Sequence, residues 1–299
     1  MKAAIAVLTA LTAMQAPQFR SGVEAVRVDA LVMDGGKPLA DLNADDFELR
    51  DNGVVQTIES VAVADVPISM MVALDTSASV AGHVLQELKA GVGAATAALR
   101  SEDRAALISF SSDINLIRDW GNNNAAVSDA LAGLRAGGGT ALWDAAYAAL
   151  TFSDDTPGMR RLVLVFSDGD DTSSWLPSVW VLDKARRTDV VVYSVEIRNP
   201  SLRPIPSLQN RSGTQSFKNV PYDDSSFLDE LAEMTGGARF RVTEATELRK
   251  AFARVLMEFR TRYLITYTPR GVDQSGWHPL EVKLKTKRGK VTARKGYTK

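Results

Sequence analysis

Four short runs in this chain are apolar at every position: MMVAL (70–74), AALI (105–108), LVLVF (162–166) and VVVY (190–193). A strand with one wet face alternates apolar and polar residues, so a run without alternation must be covered on both faces. Helical patterns separate these runs, at HVLQELKAGVGAATAAL (83–99), about 123–135, about 140–151 and near 177–187. Buried strands alternating with helices specify a doubly wound, mostly parallel α/β sheet with helices on both sides. A second amphipathic helix pattern, ELRKAFARVLMEFR, follows SSFLDELAEMTGG, whose paired glycines mark a helix end. The segment from Asn199 to Asp224 has no period and is rich in Pro, Ser and Asn, which reads as a long loop.

The two ends of the chain have a different rhythm. VEAVRVDALVMD and DFELRDNG read as strands, with Asn52-Gly53 as a hairpin turn. At the far end, RYLITYTP, GWHPLEVKLKTKRG and KVTARKGY are again strand-like, and Val282 and Leu284 alternate with Lys283, Lys285 and Lys287. Neither end is long enough for its own core, so the two are expected to pack as one small β-sandwich with the α/β part inserted between them. The basic tail from Lys283 onward reads as the solvated face of a strand rather than a nucleic-acid footprint, because its charges fall at period two.

The expected organisation is therefore a signal peptide over 1–19, an N-terminal β segment over 20–65, the α/β domain over 66–260 and a C-terminal β segment over 261–299. MKAAIAVLTALTAMQAPQF has one lysine followed by an uncharged, mostly apolar run, too short to span a membrane at ~20 residues. It reads as an export signal, which places the mature protein in the periplasm or outside the cell; read as an ordinary N-terminus, it leaves the protein cytoplasmic.

Composition removes whole classes of chemistry. The 299 residues include no cysteine and two histidines, His83 and His278, which excludes disulfides, Cys/His zinc sites and thiol nucleophiles. Lys and Arg total 35 against 36 Asp and Glu, so no global field draws the chain to nucleic acid or an anionic surface. No phosphate-binding or dinucleotide loop is present, and His83 lacks the companion segments of a Ser-His-Asp protease. A phosphatase of the haloacid dehalogenase type would need a carboxylate where this chain has Ser77.

Hard oxygen donors remain. Ligands bind an open α/β sheet beyond the carboxyl ends of its strands. Asp75, Ser77 and Ser79 follow the first apolar strand, Thr140 opens a helix, and Asp168 follows the strand ending in Phe166. Neutral hydroxyls beside carboxylates suit a small hard cation such as Mg²⁺, with Mn²⁺ or Ca²⁺ accepted by the same oxygens. Such a shell leaves the ion under-neutralised and attractive to an outside anion. Each residue also has a structural reading: Ser77, Ser79 and Thr140 as helix caps, Asp168-Gly169 as a turn. Asp170, Asp171 and Thr172 stand as possible outer polar neighbours, Asp144 as an exposed or outer carboxylate, and Trp175 and Trp180 as contacts beside the site.

DTSAS, Thr140 and the aspartate of SDG, in this order, resemble the metal ion-dependent adhesion site of the von Willebrand factor type A domain, over about 66–260. The flanks resemble those of the von Willebrand factor A-related proteins abundant in acidobacteria. The resemblance implies that Ser77, Ser79 and Thr140 ligate a metal directly, that Asp75 and Asp168 hold it directly or through water, and that a partner protein's carboxylate completes the shell. The expected function is thus a non-enzymatic, Mg²⁺-dependent protein-binding or adhesion module. The alternatives are an assembly component whose metal only orders the loops, and a metal-assisted hydrolase, for which no general base with suitable spacing is visible.

Overall fold

The computed structural model describes residues 25–63, 66–122, 124–153, 156–197, 224–242, 245–273, 275–285 and 288–299; the expected signal peptide and nearly all of the 199–224 loop lie outside them. The N-terminal strands are β1 (Val26–Asp34), β2 (Lys37–Pro38), β3 (Phe47–Asp51), β4 (Val54–Gln56) and β5 (Ile58–Val63). The central part runs β6 (Ile68–Asp75), α1 (His83–Ala97), β7 (Arg104–Phe110), β8 (Ile114–Gly121), α2 (Asn124–Ala132), α3 (Leu142–Thr151), β9 (Arg160–Ser167), α4 (Ser178–Arg186), β10 (Val191–Ile197), α5 (Asp224–Thr235), β11 (Arg239–Val242) and α6 (Ala245–Arg260). The chain ends in β12 (Tyr263–Tyr267), β13 (Trp277–Leu284), β14 (Lys290–Ala293) and β15 (Gly296–Thr298).

The central sheet has six strands in the order β11-β10-β9-β6-β7-β8. All neighbours are parallel except β7 and β8, so β8 is an antiparallel edge. The unbroken apolar run 70–74 of β6 has a direct cause. Met70, Val72 and Leu74 belong to one core with α1 and α6, while Met71 and Ala73 belong to a second core with α3, α4 and α5. The connection after β6 runs to β7 on one side and that after β9 to β10 on the other, so the crevice at the carboxyl ends of β6 and β9 is the switch point of such a fold. Helix α5 ends as the paired glycines predict: Gly236 has φ 81°, and Gly237 N–H reaches back to Ala232 O at 2.8 Å.

The terminal strands mix in two further sheets, β14-β1-β12-β5 with β2 beside β1, and β15-β13-β3-β4. In the first, β1 and β12 pair antiparallel with Val28 opposite Ile265; in the second, β13 and β3 pair with Val282 opposite Leu49. Val28, Ala30, Phe47, Leu49, Tyr263 and Ile265 share one core. Asn52 (φ 49°) and Gly53 (φ 77°) both adopt left-handed backbone between β3 and β4, as the Asn-Gly pair predicts.

Candidate metal centre

Asp75 is the last residue of β6 and is fully buried. The chain is pinned as it leaves the strand, because Thr76 N–H and Thr76 Oγ1 both donate to Phe110 O, at 2.7 and 3.0 Å. Asp75 then folds the next residues around its own carboxylate. Ser77 N–H donates to Oδ1 at 2.8 Å, and Ser167 Oγ donates to Oδ2 at 2.8 Å. Ser77 Oγ and Ser79 Oγ lie 2.9 Å apart. Ser77 heads a single 3-10 turn but makes no side-chain cap bond, and α1 starts only at His83, so neither serine serves as its cap.

Asp168 follows β9, close enough to Asp75 for its charge to be felt there. Among the described residues its Oδ1 is buried with no hydrogen-bond partner, a state that is costly unless a further group completes it. Gly169 has φ 99°, and a Cβ there would meet Arg239 Nη2 at 3.3 Å, so the turn after Asp168 depends on glycine.

Thr140 is buried and comes into place through its loop. Gly137 N–H donates to Thr76 O at 2.8 Å and Ala78 N–H to Gly138 O at 3.1 Å, which ties the threonine's loop to the serines' loop. From the other side, Thr140 N–H donates to Thr172 Oγ1 at 2.8 Å, and its carbonyl accepts from the Thr172 and Ser173 amides. Helix α3 begins two residues later at Leu142, so Thr140 is not its cap. The two loops approach so closely that a Cβ on Gly139 would lie 2.8 Å from Ser173 Oγ.

Burial pushes the Asp75 carboxyl up to about 6, opposed by hydrogen bonds from Ser77 and Ser167 and reinforced by the charge of Asp168. Among the described residues, no three His, Cys, Asp or Glu side chains cluster at metal-ligand spacing. The oxygen set here is two carboxylates with hydroxyls, a hard-donor arrangement that fits Mg²⁺ or Mn²⁺ better than softer metals.

Sequence reading missed the part played by Ser167 and placed Asp144 as an exposed or outer carboxylate. Ser167, the serine of SDG, holds Asp75, and Gly169 N–H in turn donates to Ser167 Oγ at 3.1 Å. Asp144 accepts the amides of Trp175 and Leu176, each at 2.9 Å, while Ser174 Oγ accepts the amides of Trp143 and Asp144. These reciprocal bonds fix the loop that carries Trp175, whose side chain is 91% exposed, with Trp180 61% exposed just beyond it.

Residues 70–170 match the sequence profile of the von Willebrand factor type A domain. Solved structures agree on the fold. A von Willebrand factor type A protein from Catenulispora acidiphila superposes with a TM-score of 0.53 at 14% identity, over 90% of this chain and 75% of its own. An aerotolerance-related membrane protein from Bacteroides fragilis gives 0.51 at 18%, over 64% of this chain and 98% of its own. Proximal thread matrix protein 1 from the mussel byssus, in a form with a zinc-occupied adhesion motif, gives 0.51 at 15%, over 68% of this chain and 48% of its own. No curated protein matches the sequence significantly. The α/β part therefore has the von Willebrand factor type A fold, and the candidate residues stand at the carboxyl ends of its central strands.

Proposed function

We propose that this protein is a non-enzymatic binding module that captures an acidic group of a protein partner through a divalent cation, Mg²⁺ first among those its oxygens suit. Ser77, Ser79 and Thr140 would ligate the ion, and Asp75 and Asp168 would hold it directly or through water. The ion, when bound, supplies a positive centre on an otherwise neutral hydroxyl shell; a partner carboxylate is the natural completion. The observation that carries this reading is the buried, unpartnered Oδ1 of Asp168 beside the buried carboxylate of Asp75. Backbone hydrogen bonds already tie the 76–78, 137–140 and 172–173 segments to one another, so an ion is not needed merely to order the loops. The exposed Trp175, whose backbone amide is anchored on Asp144, gives a partner an aromatic contact beside the candidate site.

The mussel thread protein with zinc in its adhesion motif supports metal binding on this fold, and the Bacteroides membrane protein accords with an exported location. We read 66–260 as an α/β domain inserted into a sandwich made by 20–65 and 261–299; the two mixed sheets and their shared core support this. Among the described residues no helix is long and apolar enough to cross a membrane.

Calorimetric titration of Mg²⁺ and Mn²⁺ into wild type and Asp75→Ala tests the proposal. One-site saturable binding that disappears in the variant is expected. A wild type that binds neither ion, with or without a carboxylate-bearing ligand such as glutarate, would overturn it.

A further inference from the structure

The opposite end of the central sheet carries a second feature. Two adjoining cavities of about 440 and 740 Å³ open between the lower edge of the α/β part and the terminal strands, sharing Arg161, Asp189, Arg294 and Tyr297 in their walls. The first is completed by Lys184, Arg186 and Arg187 at the end of α4, the second by Arg27 and Arg160. That places seven cationic side chains in the walls against two acids, Asp29 and Asp189, in a chain whose net charge is −1. β9 runs from this cleft to the candidate metal centre, and its eight residues put the two roughly 23 Å apart.

Some of this charge is already spoken for. Arg160 pairs with Asp29, Arg161 with Asp189 at 3.3 Å, and Arg187 with Asp183 at 2.9 Å. The helix macrodipole explains Lys184 and Arg186 in the last turn of α4 in part, since cations are favoured there. It does not explain Arg27 on β1 or Arg294 after β14. Among the described residues, Arg27, Lys184, Arg186 and Arg294 have no carboxylate within ion-pair distance. Among the described residues, Arg294 donates to Gly296 O at 2.7 Å and Arg186 O at 3.2 Å, and burial lowers its basicity against the opposing charges of Asp189 and Asp29. Arg186 lies with its guanidinium 5.4 Å from the Trp277 ring and its Nε buried without a hydrogen-bond partner. Arg294 is the strongly desolvated member of the set, and the nearby charges of Asp189 and Asp29 offset only part of that cost; an anion that enters the cleft adds counter-charge and stabilises the folded state.

We propose that this cleft is a binding site for a multiply charged phosphate group, either a free polyphosphate or the phosphate chain of a nucleotide. Four cations with no carboxylate at ion-pair distance among the described residues call for more than the single charge of a carboxylate. Guanidinium forks match phosphate oxygens two at a time. Each cavity has the volume of a small-molecule site. The site is independent of the metal centre, which lies at the other end of the strands.

The test is calorimetric titration of tripolyphosphate, ATP and orthophosphate into the full chain in EDTA and about 150 mM NaCl, where screening removes weak nonspecific attraction. EDTA keeps any ion at the metal centre from recruiting the phosphate. Saturable binding of tripolyphosphate is expected, at least tenfold weaker in a Lys184→Glu/Arg186→Glu variant and in Arg27→Glu on the opposite wall, each checked for native circular dichroism. Equal affinity for ATP and tripolyphosphate would identify the phosphate chain as the recognised part, and tighter ATP binding would identify a nucleotide source. No saturable binding to the wild type, or affinity unchanged in both folded variants, would overturn the proposal.

Discussion

Asp75 stands on both sides of a conflict between stability and binding. Its carboxyl titrates near 6 in the folded protein against 3.8 for the ordinary side chain, chiefly because burial disfavours the charge. The folded state therefore holds its proton more tightly than the unfolded chain does. The resulting stabilisation is complete below about pH 4 and is lost as pH rises through 6, leaving the metal-free protein destabilised by about 3 kcal/mol at pH 8 relative to acid conditions. Asp75→Asn keeps an acceptor for Ser77 N–H and removes the charge. In EDTA at pH 8 it is expected to gain about 1–3 kcal/mol in urea denaturation, to flatten the pH dependence between 5 and 8, and to abolish any stabilisation by Mg²⁺. A variant less stable than wild type at pH 8 would show that the charge is better solvated than its burial implies. The five proposed ligand positions were legible in the sequence because their side-chain types and order carry the chemistry. Ser167 was not, because it acts on a residue far away in the chain and only the parallel register of β6 with β9 brings it there; Asp144 was legible as an outer carboxylate, but its hold on the Trp175 amide was not, since that depends on the folding of the 171–176 loop onto α3.

At the scale of elements, the contact between α1 and α6 is set by a residue that looks like a defect. Gly91 lies in the interior of α1, where glycine weakens a helix by about 1 kcal/mol relative to alanine. Its use appears only with its partner: a Cβ there would lie 2.3 Å from Phe252 Cε2 on α6. Phe252 in turn packs on Phe166, ring centroids 4.7 Å apart, and Phe166 precedes the Ser167-Asp168 turn on β9. Gly91→Ala is expected to lower stability by about 1–3 kcal/mol through overpacking, despite alanine's higher helix propensity. The double variant with Phe252→Leu should recover much of that loss, and thermal denaturation of both reads the outcome. Helices α1 and α6 could be placed from periodicity, but their approach distance depends on facing side chains about 160 residues apart in sequence, to which local pattern is blind.

At the scale of the whole molecule, a single buried arginine joins the parts. Arg262 is fully buried directly after α6; it donates to Tyr193 OH at 3.0 Å, to Asp29 O and Thr292 O at 3.3 Å, and to Gly236 O. Its acceptors thus lie on β10, β1 and β14 and at the end of α5. Arg262→Met leaves those acceptors short of donors and is expected to lower stability by about 3–5 kcal/mol. It should also split one calorimetric unfolding transition into two, as the terminal strands and the α/β part lose their shared anchor; a single transition with an unchanged midpoint would deny Arg262 that role. The pairing of the chain's ends could be inferred from the incompleteness of each, whereas this anchor could not, since an isolated Arg in TRYLITY reads as surface.

The entry and exit of the central part are also neighbours. The strand that leads into it, β5, and the strand that leaves it, β12, pair antiparallel with Val63 opposite Tyr263. Tension applied at the two ends of the molecule can therefore pass from strand to strand across that pairing without running through the intervening 68–260 loop of chain. The face proposed to hold the ion is mechanically short-circuited: a pull on the terminal strands first shears their own pairing, and the proposed binding surface would feel load only from a pull applied to it directly.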